Sequence, residues 1–296
     1  DVAEVLSGKS KLSPEISDRI VKLRAVADRL RKYRLFRGSI ELDLPESKIL
    51  LDDDDAHRIR GVVQSRSSKE MARAYNLIEE FMLAANESVG ALAMAENLPV
   101  IYRNHDRPNE EKLEMLAAAC EVLGIKCDNE KLLTPRGVQK FLSRISSHEN
   151  SYVLHMLMLR AMAQADYDVT NIGHFALSSP AYVHFTSPIR RYPDLISHRV
   201  IKAFLATVKG GKAGPSPIPK MPVRAQSEIQ AIHSSVHERR SAQAERNVRS
   251  LYAALFMRQH IGDEFEGRIS GAMSSGFFVM LDEPFVDGMV RMESLN

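Results

Sequence analysis

The sequence predicts an α+β fold, a helix-rich body followed at its C-terminal end by the first strands of a small β-barrel. Three observations lead there. Residues 15–34 and 68–97 carry apolar positions at helical spacing, and 223–260 form one long charged helical stretch. The last 34 residues instead alternate apolar and polar positions between Gly-containing turns. No apolar run approaches the roughly 18 residues needed to span a membrane.

Composition agrees. Of 296 residues, 44% are hydrophobic and 26% charged, the proportions of a soluble globular protein of one or two domains. A net charge of +2 is too small to argue for a nucleic-acid partner, so any such partner must be inferred from where charge sits. Cys120 and Cys127 have no metal-ligand spacing, which suits reduced thiols and a cytoplasmic location. The opening "DVAEVLSGKS" lacks an initiator Met and a signal-peptide pattern, and reads like the inside of a larger protein.

Taken in order, Pro14 opens a helix over 15–34 with Ile16, Ile20, Leu23, Ala27 and Leu30 on one side. "SIELDL", "SKILL" and "IRGVV" suggest strands. Between the last two lies "DDDDAH"; neighbouring turn residues point in different directions, so Asp52 to Asp55 read as a solvated turn and not as a metal site. A capping box in Ser67-Ser68-Lys69-Glu70 opens the helix over 68–97, whose apolar stripe is Ile78, Phe81, Met82, Ala85, Val89 and Leu92. Glu79 and Asn86, seven apart, share a face beside that stripe: either a polar margin or a carboxylate and an amide aimed into a cleft.

"LPVIYRNHDRP" reads as a strand and loop, followed by helices over 109–123 and 135–145 and a core helix over 150–166. Residues 208–222, rich in Gly, Pro and Lys, read as a loop. After the helix over 223–260, three strands end the chain with an unpaired edge, which folded proteins avoid, so a half-barrel lacking its remainder is expected. Phe277 and Phe278 lie on its second strand, where alternation turns one of the pair outward.

The chemistry concentrates in "HFTSPIRRYPDLISHR", residues 184–199. Ser187 is a good N-cap and Pro188 a good first helical residue, with Ile189, Tyr192, Ile196, Val200 and Phe204 facing inward. Pro193 makes that first turn irregular or moves the regular start to Tyr192. Either way, Arg190 and Arg191 stand at the positive end of a helix and call for an anion. Phosphate answers both the free N–H groups and the guanidinium forks. Asp194 is spaced to hold Arg190, while His184 and Thr186 add donors. The bland alternative is a surface helix start with its arginines paired to acids elsewhere.

"HFTSPIRRYPDLISHRVI" closely resembles the signature of the ribonuclease II and ribonuclease R family, the RNB-domain exoribonucleases. "IEEFMLAANESVG" and "HERRSAQAERNV" resemble two of its helices, and the terminal strands resemble the start of its OB-type RNA-binding barrel. On this resemblance residues 1–260 are RNB domain, incomplete at the N-terminus, and 263–296 the barrel's first strands. It implies hydrolysis of single-stranded RNA from the 3′ end, nucleoside 5′-monophosphates leaving one at a time with magnesium as cofactor. Arg190 then contacts the scissile phosphate, Glu245 lies near the 3′-terminal nucleotide, and Glu79 reads ribose hydroxyls. Asn86, His184, Thr186, Ser187, Arg191 and Tyr192 support RNA binding, and Phe277 or Phe278 stacks on bases.

The departures also shape expectation. The family's metal-binding aspartates and a tyrosine that works with Glu79 correspond to positions before Asp1, and Glu41 aligns where the family has a base-clamping aromatic. These 296 residues alone are therefore expected to hydrolyse nothing. A non-catalytic RNA-binding relative is the other reading. Whether the parent resembles ribonuclease II or ribonuclease R stays open, as does oligomeric state.

Overall fold

The computed structural model describes residues 1–9, 12–42, 46–55, 58–65, 68–208, 218 and 220–295. In chain order these form α1 (Val2–Leu6), α2 (Pro14–Arg37), β1 (Glu46–Leu51), β2 (Ile59–Ser65), α3 (Lys69–Ala95) and β3 (Tyr102–Asn104). There follow α4 (Glu110–Val122), α5 (Asn129–Leu132), α6 (Pro135–Ile145), α7 (Ser151–Ala161), β4 (Asp166–Asp168), α8 (Tyr192–Thr207) and α9 (Arg224–Met257). The strands β5 (Gly267–Met273), β6 (Gly276–Leu281) and β7 (Asp287–Arg291) complete a helix-rich α+β chain. Ser67, residues 43–45, Ala56, His57 and most of the expected 208–222 loop lie outside the described residues. Among the described residues no helix is long and apolar enough to cross a membrane.

The chain divides into two compact units. The first comprises Asp1–Glu41, Ser67–Ser143 and Ala161–His237. Ser13 caps α2, its side chain accepting from the Ile16 N–H, and Gly38 ends it at φ +111°, a conformation that L side chains rarely adopt. The buried line of α2 is Arg24, Ala27 and Arg34, while Ile16 and Leu23 are exposed, which corrects the expected stripe. Arg34 explains the shift. Its guanidinium donates to buried Glu80 on α3 at 2.6 and 3.2 Å, to Ser39 at 2.8 Å and to Glu41 at 2.9 Å. Burial alone would lower its pKa, but Glu80 and Glu41 outweigh that and raise it. A polar network thus occupies a helix face on which an apolar stripe was expected.

Ser68 caps α3 by accepting the Met71 N–H. Its buried line is Leu77, Glu80, Asn86, Gly90 and Ala93; Ile78, placed in the stripe by sequence, is 55% exposed. Ala93, Leu98, Val100, Ile101, Tyr102, Tyr167, Ala181, Val183, Ile196, Val200 and Ala231 form the core beneath the site described below. Expected strand "SIELDL" is absent over 39–42, where the Ile40 N–H bonds the Ala176 carbonyl instead of a neighbouring strand. The expected core helix 150–166 stops at Ala161, because 166–168 pair with β3 as β4.

The second unit comprises Leu42–Arg66, Arg144–Arg160 and Glu238–Asn296. There β1 and β2 form an antiparallel hairpin whose acidic turn ties Asp53 to Arg60 at 3.0 Å and the Asp54 N–H to Asp52 at 3.0 Å. Strands β5, β6 and β7 form one antiparallel sheet in that order. Phe277 stands opposite Ala272 and Val290, and Phe278 opposite Gly271 and Met289.

Candidate functional site

The site in the first unit is built on a short ladder. Strand β3 pairs antiparallel with β4, setting Arg103 opposite Tyr167, and its other edge takes residues 182–183 through the Arg103 N–H to the Tyr182 carbonyl at 2.8 Å. Val183 enters the core. On either side of it, the Tyr182 and His184 rings meet edge-on at 5.8 Å. The Tyr167 hydroxyl lies 2.8 Å from His184 Nδ1, and the Arg103 guanidinium sits 4.5 Å from the centre of the Tyr167 ring.

Helix α3 then clamps the segment that leads to the arginines. Asn86, 3% exposed, donates from Nδ2 to the Tyr182 hydroxyl at 2.9 Å and accepts the Phe185 N–H at 3.0 Å. Gly90, one turn on, allows close approach: a Cβ there would stand 2.8 Å from the Ala181 carbonyl oxygen. From α8, His198 stacks on Phe185 with ring centres 3.9 Å apart and places Nε2 2.8 Å from the Phe185 carbonyl.

The arginines follow in a turn, not in a helix. The Ser187 carbonyl accepts the N–H groups of Arg190 and Arg191 at 3.2 and 3.1 Å, and the regular helix begins at Tyr192 with Pro193 in its first turn. Sequence placed Ser187 and Pro188 at the start; the later start at Tyr192 is the one adopted, since a proline fits only where no backbone N–H is needed. Asp194, 0% exposed, accepts the Ser187 N–H at 2.8 Å and receives both the Nε–H and an Nη–H of Arg191 at 2.8 Å. The expected pairing of Asp194 with Arg190 is therefore corrected: its partner is Arg191. Arg190 is exposed and makes no side-chain hydrogen bond or ion pair among the described residues.

The inward face expected for this segment holds only in part. Ile196 and Val200 are buried and Phe204 packs at the core's edge, but Ile189 is fully exposed and Tyr192 half-exposed, its hydroxyl accepting from Gln230 at 3.3 Å. Thr186 has a buried hydroxyl with no hydrogen-bond partner among the described residues.

Arginines lead the charges that act on His184. Burial first, then Arg191, Arg103, His174 and Arg190, push its pKa down to about 3. Burial, His105 and Arg103 push His174 down to about 3 as well. The imidazoles stay neutral, so the positive potential comes from guanidinium groups. Such a place suits an anion and resists titration near neutral pH.

Of the remaining sequence-predicted residues, Glu79 belongs to the first unit and Glu245, Phe277 and Phe278 to the second. Glu79 is exposed and accepts from Asn76 at 3.0 Å; although seven residues from Asn86, it does not share that residue's burial, and its neighbour Glu80 is the buried carboxylate. Glu245 belongs to the second unit, exposed on α9 and paired with Arg249 at 2.7 Å. Phe277 and Phe278, also there, are both half-buried. Sequence reasoning missed Arg103, Tyr167, Tyr182 and His198. Only His198 left a signal, lying four residues after Asp194 on one face of a helix.

A family model described as RNB domain matches residues 1–207. This chain belongs to the RNB-domain family. It is 37% identical over 267 residues to ribonuclease R of Aquifex aeolicus, covering 90% of this chain and 36% of that protein. With ribonuclease R of Escherichia coli it shares 34% over 268 residues, 90% of this chain and 32% of that one. The chain thus spans about a third of the length of the curated relatives it matches. Among solved structures, the apo form of Mycoplasma genitalium RNase R superposes with a TM-score of 0.86 at 27% identity, covering 98% of this chain and 44% of that one. The same protein in complex with ribose-methylated single-stranded RNA gives 0.85 at 27% identity, covering 99% and 45%.

Among the described residues no group of three or more His, Cys, Asp or Glu side chains is arranged to hold a metal ion. The described residues do not fit the magnesium that the family resemblance implies.

Proposed function

We propose that this chain is part of a hydrolytic exoribonuclease that shortens single-stranded RNA from its 3′ end and releases nucleoside 5′-monophosphates. The observation that carries the reading is Arg190: an exposed guanidinium with no side-chain partner among the described residues, on a turn fixed from both sides, beside a second arginine already paired with Asp194. A backbone phosphate satisfies that group, and a guanidinium there stabilises charge that builds on phosphoryl oxygens during hydrolysis.

In this proposal Arg190 contacts the scissile phosphate. Glu245 acts near the 3′-terminal nucleotide, and exposed Glu79 accepts from a ribose 2′-hydroxyl, the group that distinguishes RNA from DNA. His184, Thr186 and Ser187 offer further polar contacts, Tyr192 an exposed ring edge, and Phe277 or Phe278 a stacking surface. Asn86 and Arg191 have their polar groups engaged by the protein, which leaves them supporting parts. Residues 1–260 would form the RNB portion and 263–296 the start of an OB-type barrel, in a cytoplasmic enzyme.

The test is product analysis. The full-length protein, given magnesium and a 5′-labelled RNA oligomer, should yield a ladder shortening from the 3′ end together with nucleoside 5′-monophosphates. Internal cuts, or tight RNA binding with no product, would refute the exonuclease reading.

A further inference from the structure

The two adjacent arginines do different work. Arg191 has both arms of its fork on the Asp194 carboxylate, and Asp194 is fully buried and also accepts the Ser187 N–H. Arg191 cannot leave that carboxylate for a phosphate without stranding a buried charge, which costs about 3–5 kcal/mol. Arg190, one residue earlier, has no such commitment. The Ser187 backbone is the link between them. Its N–H is held by Asp194, and its carbonyl accepts the N–H of Arg190.

We propose that Arg191 and Asp194 are a positioning pair for Arg190: Arg191 neutralises Asp194, Asp194 fixes Ser187, and Ser187 fixes the turn that presents Arg190 to RNA. His198 and Asn86 hold the same segment two residues upstream through the carbonyl and N–H of Phe185. Only one of the two guanidinium groups reaches the nucleic acid. This rests on the proposed reading of Arg190 as a phosphate contact.

A salt titration separates the two roles. Each phosphate contact to a single strand contributes about 0.7 to the slope of log affinity against log salt. Affinity of the full-length protein for a single-stranded RNA oligomer is measured across a KCl series, with EDTA present so that the RNA stays intact. Arg190→Met should lower the slope by about 0.7. Arg191→Met should leave it unchanged, yet reduce kcat about 100-fold, as misplacement of a reacting group does. Asp194→Asn should reduce kcat similarly, and the double variant Arg191→Met/Asp194→Asn no further than either single one. Arg191→Lys, which keeps the charge and loses the fork, should not restore kcat.

The double variant also buries no unpaired charge, so its salt slope can be read even if Arg191→Met alone misfolds. A slope lowered by about 0.7 in the double or in Arg191→Met would make Arg191 a phosphate contact and overturn the proposal. Independent, multiplying losses in kcat would overturn it too. A slope unchanged by Arg190→Met would instead sink the reading of Arg190, leaving the pairing of Arg191 with Asp194 to be judged on the kcat coupling.

Discussion

Asp194 on α8 accepts two parallel hydrogen bonds from Arg191, each 2.8 Å, while its side chain is wholly shielded from solvent. A buried carboxylate with a fork-on-fork cation and a backbone N–H has three of its roughly four acceptor directions in use. The relationship fixes the start of α8 and leaves Arg190 as the free cation of the pair.

Removing that carboxylate should therefore cost stability as well as activity. Asp194→Ala orphans the Ser187 N–H and leaves Arg191 without its counter-charge, and should lower unfolding free energy by about 3 kcal/mol. Urea denaturation checks this. A midpoint within error of the parent's would show that the pair contributes nothing to the fold.

Gly90 is set by contact. A methyl group added there would stand 2.8 Å from the Ala181 carbonyl oxygen and 3.0 Å from its carbon, both backbone atoms that cannot swing away. Although alanine favours helix over glycine, Gly90→Ala should destabilise by about 1–3 kcal/mol through overpacking. Gly61, with nothing within 4 Å of its hypothetical Cβ, is the control, and Gly61→Ala should show no such loss. Equal melting temperatures for parent and Gly90→Ala would contradict the close approach.

The neutral imidazoles predict a pH response. His174 and His184 titrate near 3 in the folded protein, against 6.5 for an unperturbed ring. As pH falls below about 6.5 the unfolded chain takes up protons that the folded chain refuses. The stability these rings contribute is present in full above that pH and is lost on the way down to about 3. At pH 5 the loss should be about 2 kcal/mol per ring. Melting temperature should fall between pH 7.5 and pH 5, and His174→Gln should make the fall shallower. A flat profile over that range would contradict the burial of both rings.

Much of this was legible in the residues. Helices over 14–37, 69–95, 110–122, 135–145 and 224–257 and the three terminal strands follow the periodicity and caps that the sequence displays. What periodicity could not show is which long-range partner would claim a polar face. Arg34 and Glu80 lie 46 residues apart and turn facing lines of α2 and α3 into a buried ion pair, displacing Ile78 to the surface. Asp166 reads as the end of a Met-rich helix over 150–166 until Arg103 and its neighbours supply a ladder to 166–168.

The site shows the same division. Spacing placed Asp194 close to the arginines, but i+3 and i+4 partners compete on a helix, and only the turn at Ser187–Arg190 decides for Arg191. Tyr167 and Tyr182 carried no sequence signal because they reach His184 and Asn86 through sheet pairing and long-range contact.

The central claim is that Arg190 grips the RNA backbone for hydrolysis. The most direct measurement is the rate of nucleotide release from single-stranded RNA by the full-length protein beside its Arg190→Ala variant, at equal folding by circular dichroism. The account predicts a fall of about 100-fold or more in kcat, as for removal of a group that stabilises transition-state charge. A variant that turns over at the parent's rate would contradict it.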